Sequence, residues 1–217
     1  MTTVQTSQGR QLEEGAQALG LALSDTQLGQ LLTYGEQILK WNKVYNLTAL
    51  RDPDSVMTHH LLDSLAAVLP LARQQPGGGR LLDVGSGAGL PGVVIAICRP
   101  DIQVHCLDAV AKKMAFVQQM AGELKLTHLR GIHARVETLD GHYEVISSRA
   151  FASLVDFIDG SQHLLAETGI WMAMKGKQPA DEIQALPPHV DVFHVEQLRV
   201  PGLDAERCIV WMRKKAA

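Results

Sequence analysis

The chain predicts an α/β fold: a Rossmann-like, mostly parallel sheet that ends in an antiparallel hairpin and is preceded by a helical extension. Three observations carry this. At residues 80 to 92, RLLDVGSGAGLPG, an apolar run ends in an acid and passes at once into glycines at alternate positions, as a buried strand feeding a ligand-binding turn does. From residue 80 onward, β-like and helix-like stretches alternate, which is the pattern of a doubly wound sheet. The last two strand-like stretches, DVFHVEQLRV and RCIVWMRK, are joined only by PGLDAE. That link is too short for a crossover helix, so the two pair antiparallel.

The first element follows from Ser24-Asp25-Thr26, which can cap a helix whose apolar positions Leu28, Leu31, Leu32, Ile38 and Leu39 recur at helical spacing as far as Trp41. Trp41 and Tyr45, four apart, read as core side chains. A second helix is expected after Arg51-Asp52-Pro53, running through HHLLDSLAAVLPLA, and RQQPGGGR (73 to 80) reads as a linker. Residues 1–79 are therefore expected to form a helical cap and residues 80–217 the ligand-binding core. Within the core, strands are expected at 80 to 85, 102 to 108, 129 to 134, 143 to 149 and 169 to 175. The helices between them are placed near 90 to 98, 111 to 124, 153 to 166 and 179 to 185.

With 217 residues, 46% of them hydrophobic, the chain can bury a substantial single core. Cys98, Cys106 and Cys208 are odd in number and fall in expected helix or strand interiors, so they read as reduced core thiols of a cytoplasmic protein. No histidine cluster has metal-ligand spacing, and no metal is expected. The N-terminus is polar and no run reaches membrane-spanning length. A net charge of −3 argues mildly against a general nucleic-acid binder. Its distribution matters more: residues 109 to 136 hold five cations (Lys112, Lys113, Lys125, Arg130, Arg135) against Glu123 alone. Residues 206 to 217 hold Arg207, Arg213, Lys214 and Lys215 against Glu206. Such runs are either solvated faces or phosphate contacts.

Spacing decides which ligand the turn suits. The dinucleotide fingerprint requires a third glycine where Leu90 stands. Gly85, Gly87 and Gly89 after Asp83 instead resemble motif I of the class I S-adenosylmethionine-dependent methyltransferases. That resemblance implies S-adenosylmethionine as cofactor, with Asp83 serving its methionine amino group. Asp108, at the end of IQVHCLD, is placed for the ribose hydroxyls.

The stretch KWNKVYNLTALRDPDSVMTHHLLDSL adds specificity. Together with DVGSGAGLPG, the RVE of Arg135 to Glu137, SRAFASL at 148 to 154, the MKG of Met174 to Gly176 and PGLDAER at 201 to 207, it closely resembles the bacterial 16S ribosomal RNA guanine-N7 methyltransferases, the RsmG or GidB family. The resemblance spans nearly the whole chain. It implies methylation of a guanine in the 530 loop of the small subunit, 16S rRNA within that subunit or an assembly intermediate as partner, and a monomeric enzyme without membrane attachment. It also implies cofactor contacts from Gly85, Leu90, Val136, Glu137 and Arg149. Arg149 ends the fourth strand, where a cation can hold a phosphate, the methionine carboxylate or the guanine edge. Lys175 ends the fifth strand, also at the carboxyl edge, and can meet an RNA phosphate. Asn46 and His60, from the helical cap, are candidates for shaping the base pocket, whereas Asp63 reads as a helix-packing partner. Phe151, just past Arg149, is the stacking candidate.

Guanine N7 carries a lone pair and no proton, so attack on a sulfonium methyl needs no general base and no enzyme nucleophile. The fourth strand runs into SSRAFAS rather than the Asn/Asp-Pro-Pro-aromatic tetrapeptide common in exocyclic-amine methylation, and no cysteine there could serve pyrimidine C5 chemistry. Two rival readings are a nicotinamide-dependent oxidoreductase, opposed by Leu90 and the hairpin, and a non-catalytic RNA-binding assembly factor. The second would be expected to lack Asp83, the glycines or Asp108.

Overall fold

The computed structural model describes residues 6–149, 151 and 153–215. Its centre is a seven-stranded sheet made of β1 (Gly79–Val84), β2 (Ile102–Asp108), β3 (Leu129–His133), β4 (Tyr143–Ser148), β5 (Leu165–Lys175), β6 (Val190–Leu198) and β7 (Arg207–Lys214). The strand order is β3-β2-β1-β4-β5-β7-β6. The first five strands are parallel, and β7 is antiparallel to both β5 and β6. The terminal hairpin thus forms as expected, with its second strand inserted beside β5. Strand order reverses between β1 and β4, and in open α/β sheets the carboxyl ends at such a reversal form the ligand crevice. Asp83 pairs in register with Cys106 of β2 and Ser147 of β4, which sets the ends of these strands level.

Strand alternation sends side chains to two cores. Leu81, Val104, Cys106, Val145, Met172 and Trp211 face one of them, shared with the N-terminal helices, α6 (Gly92–Cys98) and α7 (Ala111–Glu123). Leu82, Val84, Ile146, Trp171 and Val210 face the other, shared with α8 (Leu154–Ser161) and the residues around α9 (Ala180–Gln184). Leu12, Leu31 and Leu61 of the first 79 residues belong to the first core, so the helical segment packs directly on the sheet. Two of its glutamines extend that join: Gln27 Nε2 donates to the Ile97 carbonyl of α6 (3.0 Å), and Gln30 Nε2 to the Leu124 carbonyl ending α7 (2.7 Å).

Several boundaries differ from expectation. An additional helix, α1 (Ser7–Ala18), is capped by Thr6; the polar sequence hides it because its apolar side is narrow, with Gly9, Leu12, Gly15 and Ala16 buried. Helix α2 (Asp25–Tyr45) begins in a capping box between Ser24 and Gln27 and runs four residues past Trp41, ending at Asn46 in the left-handed conformation (φ 49°). The second expected helix is broken into α3 (Pro53–Val56), a π-helical stretch Met57–Leu62, α4 (Asp63–Leu65) and α5 (Val68–Gln74). Helix α8 stops at Ser161 and β5 starts at Leu165, earlier than the expected 169, because Tyr143 of β4 already pairs with Leu165. Pro91 stands at the N-cap of α6, just ahead of the helix it was expected to open. Among the described residues, no helix is long and apolar enough to cross a membrane.

Candidate active site at the carboxyl edge of the sheet

The glycine turn follows β1 directly. Gly85 and Gly87 have φ of +66° and +60°, and a Cβ built on either would meet nothing within 4 Å. Both therefore present bare backbone to open space, in a conformation that L side chains disfavour. Gly89 differs: its Cβ would lie 2.5 Å from Val93 Cγ2, so packing alone requires glycine there. Tyr34, fully buried on α2, donates its hydroxyl to the Ala88 carbonyl (2.8 Å). The helical segment thus holds the turn from behind.

Beside the turn is a cleft of about 350 Å³, lined by Val84, Gly85, Leu107, Asp108, Ala109, Ala134, Arg135, Val136, Glu137 and Phe151, a volume within the usual range for small-molecule sites. Its lining is mixed, with apolar Val84, Leu107, Val136 and Phe151 and the acids Asp108 and Glu137. Asp108 Oδ2 accepts from Gly87 N–H (3.0 Å) and Oδ1 from Val110 N–H (2.9 Å), while Lys113 Nζ lies 3.5 Å from Oδ2. These backbone bonds orient the carboxylate and leave spare lone pairs for hydroxyl donors. Gly85, Asp108, Val136 and Glu137 of the expected cofactor set therefore line one cleft. Leu90 does not: its side chain is 4% exposed and lies in the core shared with α6.

Asp83 lies beneath the turn with no solvent exposure. Its Oδ2 accepts from Gly92 N–H at the start of α6 (2.9 Å) and its Oδ1 from the Ser147 hydroxyl on β4 (3.0 Å). Burial pushes the carboxyl up to about 7, against the opposing pull of those two donors and of the Arg149 charge. Asp83 thus ties β1 to β4 and α6 and, contrary to its expected contact with the methionine amino group, does not line the cleft.

Arg149 does not stand as an isolated cation. Its Nη1 donates to the His59 carbonyl (2.9 Å) and to Asp63 Oδ2 (3.0 Å), and its Nη2 lies 3.3 Å from His60 Nδ1. Asp63 Oδ1 accepts from Arg207 Nε at 2.8 Å. One buried carboxylate on the helical segment therefore joins the end of β4 to the start of β7. His60 Nε2 pairs with the Thr48 hydroxyl at 2.7 Å. Burial, then the Arg149 charge, lower its pKa to about 4, so the ring is neutral near pH 7. Thr48 is placed by Asn42, whose amide bonds both Thr48 N–H and the Leu50 carbonyl.

The other candidates lie apart. Asn46 is exposed and accepts from Arg51 Nη2 (3.1 Å); none of its bonds reaches the Arg149 cluster. Lys175 is paired with Glu182 (2.8 Å), which also accepts from Leu154 N–H at the start of α8. Phe151 lines the cleft and packs on Phe157. Of the two aromatics expected in the core, Trp41 packs on Phe116 (5.4 Å), whereas Tyr45 is 41% exposed; the unforeseen extension of α2 carries it to the rim. The thiols of Cys98 and Cys106 are raised by burial, that of Cys98 to about 12, and neither is poised as a nucleophile.

Sequence reasoning assigned no contact to Tyr34, Asn42, Ser147 and Arg207, although Asn42 lies in the N-terminal motif and Arg207 in PGLDAER and the terminal basic run. Their partners are 54, 8, 64 and 144 residues away, and three of the four bonds form only once the sheet is assembled. The one local signal was Asn42, set just before the left-handed turn.

Residues 27–210 match the family described as rRNA small subunit methyltransferase G. The chain is 65% identical over 211 residues to the ribosomal RNA small subunit methyltransferase G of Polaromonas sp. strain JS666, covering 95% of this chain and 93% of that one. It is 62% identical to the same-named protein of Acidovorax ebreus, covering 97% of each. Among solved structures it is similar to TrmN from Thermus thermophilus (TM-score 0.56, 19% identity, 73% of this chain and 53% of that one). It is also similar to the ribosomal protein L11 methylase of Lactobacillus delbrueckii subsp. bulgaricus (TM-score 0.58, 16% identity, 71% and 79%). At such identities these last two establish the fold alone.

Proposed function

The chain belongs to the rRNA small subunit methyltransferase G family, and from that premise we propose that it transfers a methyl group from S-adenosylmethionine to N7 of a guanine in the 530 loop of 16S ribosomal RNA. The observation that carries the reading is the bare-backbone turn of Gly85 and Gly87, with Gly85 lining a cleft of apolar side chains and acids and Gly87 N–H bonded to the Asp108 that lines it. That combination fits a flat base, a ribose with two hydroxyls and a short zwitterionic tail. When bound, S-adenosylmethionine supplies an electrophilic methyl on a cationic sulfur.

In this reading Val136, Phe151 and Glu137 would hold the adenine and Asp108 would accept from the ribose hydroxyls. Asp83, buried beneath the turn, would favour the amino group through its charge. Arg149, held by Asp63 and the His59 carbonyl at the end of β4, would supply a fixed charge near the cofactor tail and the incoming base. It is a positioning charge, fixed before the reaction, so little reorganisation is needed during transfer. No residue has to remove a proton, because N7 has none. His60 accordingly serves as a neutral positioning residue and not as a base: its ring nitrogens face Thr48 on one side and His59 and Arg149 on the other. Lys175 steadies the segment carrying Phe151, whose carbonyl lies 3.5 Å from its Nζ. The enzyme acts as a monomer in the cytoplasm, on the small subunit or an assembly intermediate.

The test is incubation with methyl-labelled S-adenosylmethionine and small subunits from cells lacking this gene, followed by strand cleavage selective for 7-methylguanine. A single labelled guanine is expected. Cofactor binding without label in any 16S guanine overturns the assignment of substrate.

A further inference from the structure

Among the described residues, three large apolar side chains are exposed: Val44 (70%), Tyr45 (41%) and Val110 (45%). Two of them end α2 and the third is the N-cap of α7. Lys112 Nζ lies 5.7 Å from the centroid of the Tyr45 ring, which brings the last turn of α2 against the first turn of α7. The charge pattern is locally basic between flanking acids (Glu36, Asp52 and Asp54 about the first stretch, Asp108 and Glu123 about the second). Residues 37 to 51 contain Lys40, Lys43 and Arg51 and no acid, and residues 109 to 122 contain Lys112 and Lys113 and no acid, although the whole chain is net acidic. Lys40, Lys43, Lys112 and Arg51 are exposed, and none of them forms an ion pair among the described residues.

The patch adjoins the cleft. Ala109 lines the cleft, and Val110 N–H donates to the same Asp108 carboxylate that accepts from Gly87 of the glycine turn. Tyr45 is partly exposed, with the Trp41 ring packed 5.1 Å away between centroids and the flexible Lys112 side chain lying over its ring. An exposed aromatic side chain among unpaired cations is a combination that holds an unpaired nucleotide: the ring stacks and the ammonium groups meet the flanking phosphates. An acidic peptide would use the cations but not the aromatic face.

We propose that Tyr45, Lys43 and Lys112 form a docking lip for a single-stranded stretch of the RNA substrate, with a base stacked on Tyr45 beside the one delivered to the cleft. The proposal rests on the rRNA methyltransferase reading and adds to it the surface on which the strand is held.

Protein-free 16S rRNA transcript is the probe, with binding measured across a salt series and S-adenosylmethionine affinity measured separately by calorimetry. Tyr45→Ala is expected to weaken RNA binding about tenfold without changing its salt dependence, and Tyr45→Phe to restore it. Lys43→Ala with Lys112→Ala is expected to lower the slope of log affinity against log salt by about 1.5, since each lost phosphate contact removes roughly 0.7 to 0.9. Cofactor affinity is expected to stay at the wild-type value in all of them. RNA affinity and slope within twofold of wild type overturn the lip. So does a defect seen only with assembled subunits, which makes the patch a protein contact, or a parallel loss of cofactor affinity, which places the effect in the fold. Because RNA binding is read without methyl transfer, a wild-type protein that binds through the lip but labels no 16S guanine sinks the substrate assignment and not the lip.

Discussion

Asp63 is the position at which the structure makes its sharpest demand. Its side chain is 4% exposed and both carboxylate oxygens are used, one by Arg149 and one by Arg207, whose side chains are 21% and 24% exposed. Asp63→Asn keeps the shape but leaves one acceptor oxygen for two guanidinium groups and turns an amide NH2 toward the other. One ion-paired hydrogen bond is lost and the second keeps only the arginine's charge. Such bonds contribute roughly 1.5 to 3 kcal/mol each, and the arginines regain part of this from water, so the substitution should cost about 3 kcal/mol. For a domain of this size that is a fall in Tm of about 6 to 12 °C. The same change loosens Arg149, leaving it held by the His59 carbonyl and His60, so kcat for methyl transfer should fall even at temperatures where the variant is fully folded. Differential scanning calorimetry and single-turnover transfer read the two effects. A second arm separates the pairs: Arg207→Lys keeps one charged contact and should cost about 1 kcal/mol, with turnover close to normal. A melt of Asp63→Asn within 2 °C of wild type, together with normal turnover, would refute the claim that this carboxylate organises the site.

Four further outcomes are expected. Gly87→Ala places a Cβ in open space but in the left-handed conformation, at a cost of about 1 to 2 kcal/mol. It should weaken cofactor binding at least tenfold by calorimetry, whereas unchanged affinity would show that the turn is not the cradle. Arg149→Lys keeps a charge but cannot reach Asp63 and the His59 carbonyl together, so turnover should drop at least tenfold with Tm lowered by only a few degrees; equal turnover would remove the need for a fixed guanidinium. His60 has its folded pKa at about 4 against 6.5 ordinarily. The unfolded chain therefore takes up the proton first, and up to about 3 kcal/mol of stability is lost as pH falls from 6.5 through 4. His60→Gln should flatten that limb of the Tm against pH curve, and an unaltered limb would assign it elsewhere. Asp83 runs the other way: its folded pKa of about 7 lies above the ordinary 3.8, so its contribution is complete below 3.8 and is lost as pH rises through 7. Asp83→Asn can accept from Gly92 N–H and donate to Ser147, so it should melt at or above wild type at pH 8 while binding cofactor more weakly. A variant less stable than wild type at pH 8 would contradict this.

The architecture was legible because its determinants are local. The run LLDV before glycines marked the central strand, and the short PGLDAE link forced a hairpin. Glycine in place of a larger residue at 85 and 87 is likewise a backbone requirement that any reading of the turn detects. What the sequence concealed is of two kinds. Helix α1 has too narrow an apolar side to produce a strong period, and α2 continues to Tyr45 because its end is set by a left-handed asparagine rather than by glycine or proline. The other kind is pairing across the fold. Nothing near Arg149 in the chain says that its partner is Asp63, 86 residues earlier, or that Arg207 shares that partner. A residue type and its strand end predict that a charge is available; only the assembled sheet decides what it faces.

This distinction changes how the site must be tested. Asp83 and Asp108 occupy the positions that motif logic assigns to ligand contacts, yet both are also structural acceptors: Asp83 for Gly92 and Ser147, Asp108 for Gly87 and Val110. Loss of methyl transfer on replacing either with alanine is consistent with a lost ligand contact and equally with a displaced glycine turn. The amide variants discriminate because an amide oxygen still accepts from a backbone N–H. At Asp83 the second donor is a hydroxyl, which can reverse its role and accept from the amide, so the scaffold survives and only the charge is removed. At Asp108 the second donor is the Val110 N–H, which cannot reverse, so Asp108→Asn must disturb the start of α7 as well as any ribose contact. Asp83 is therefore the acid whose charge can be tested alone, and the strength of cofactor binding in Asp83→Asn measures what that charge does for the ligand.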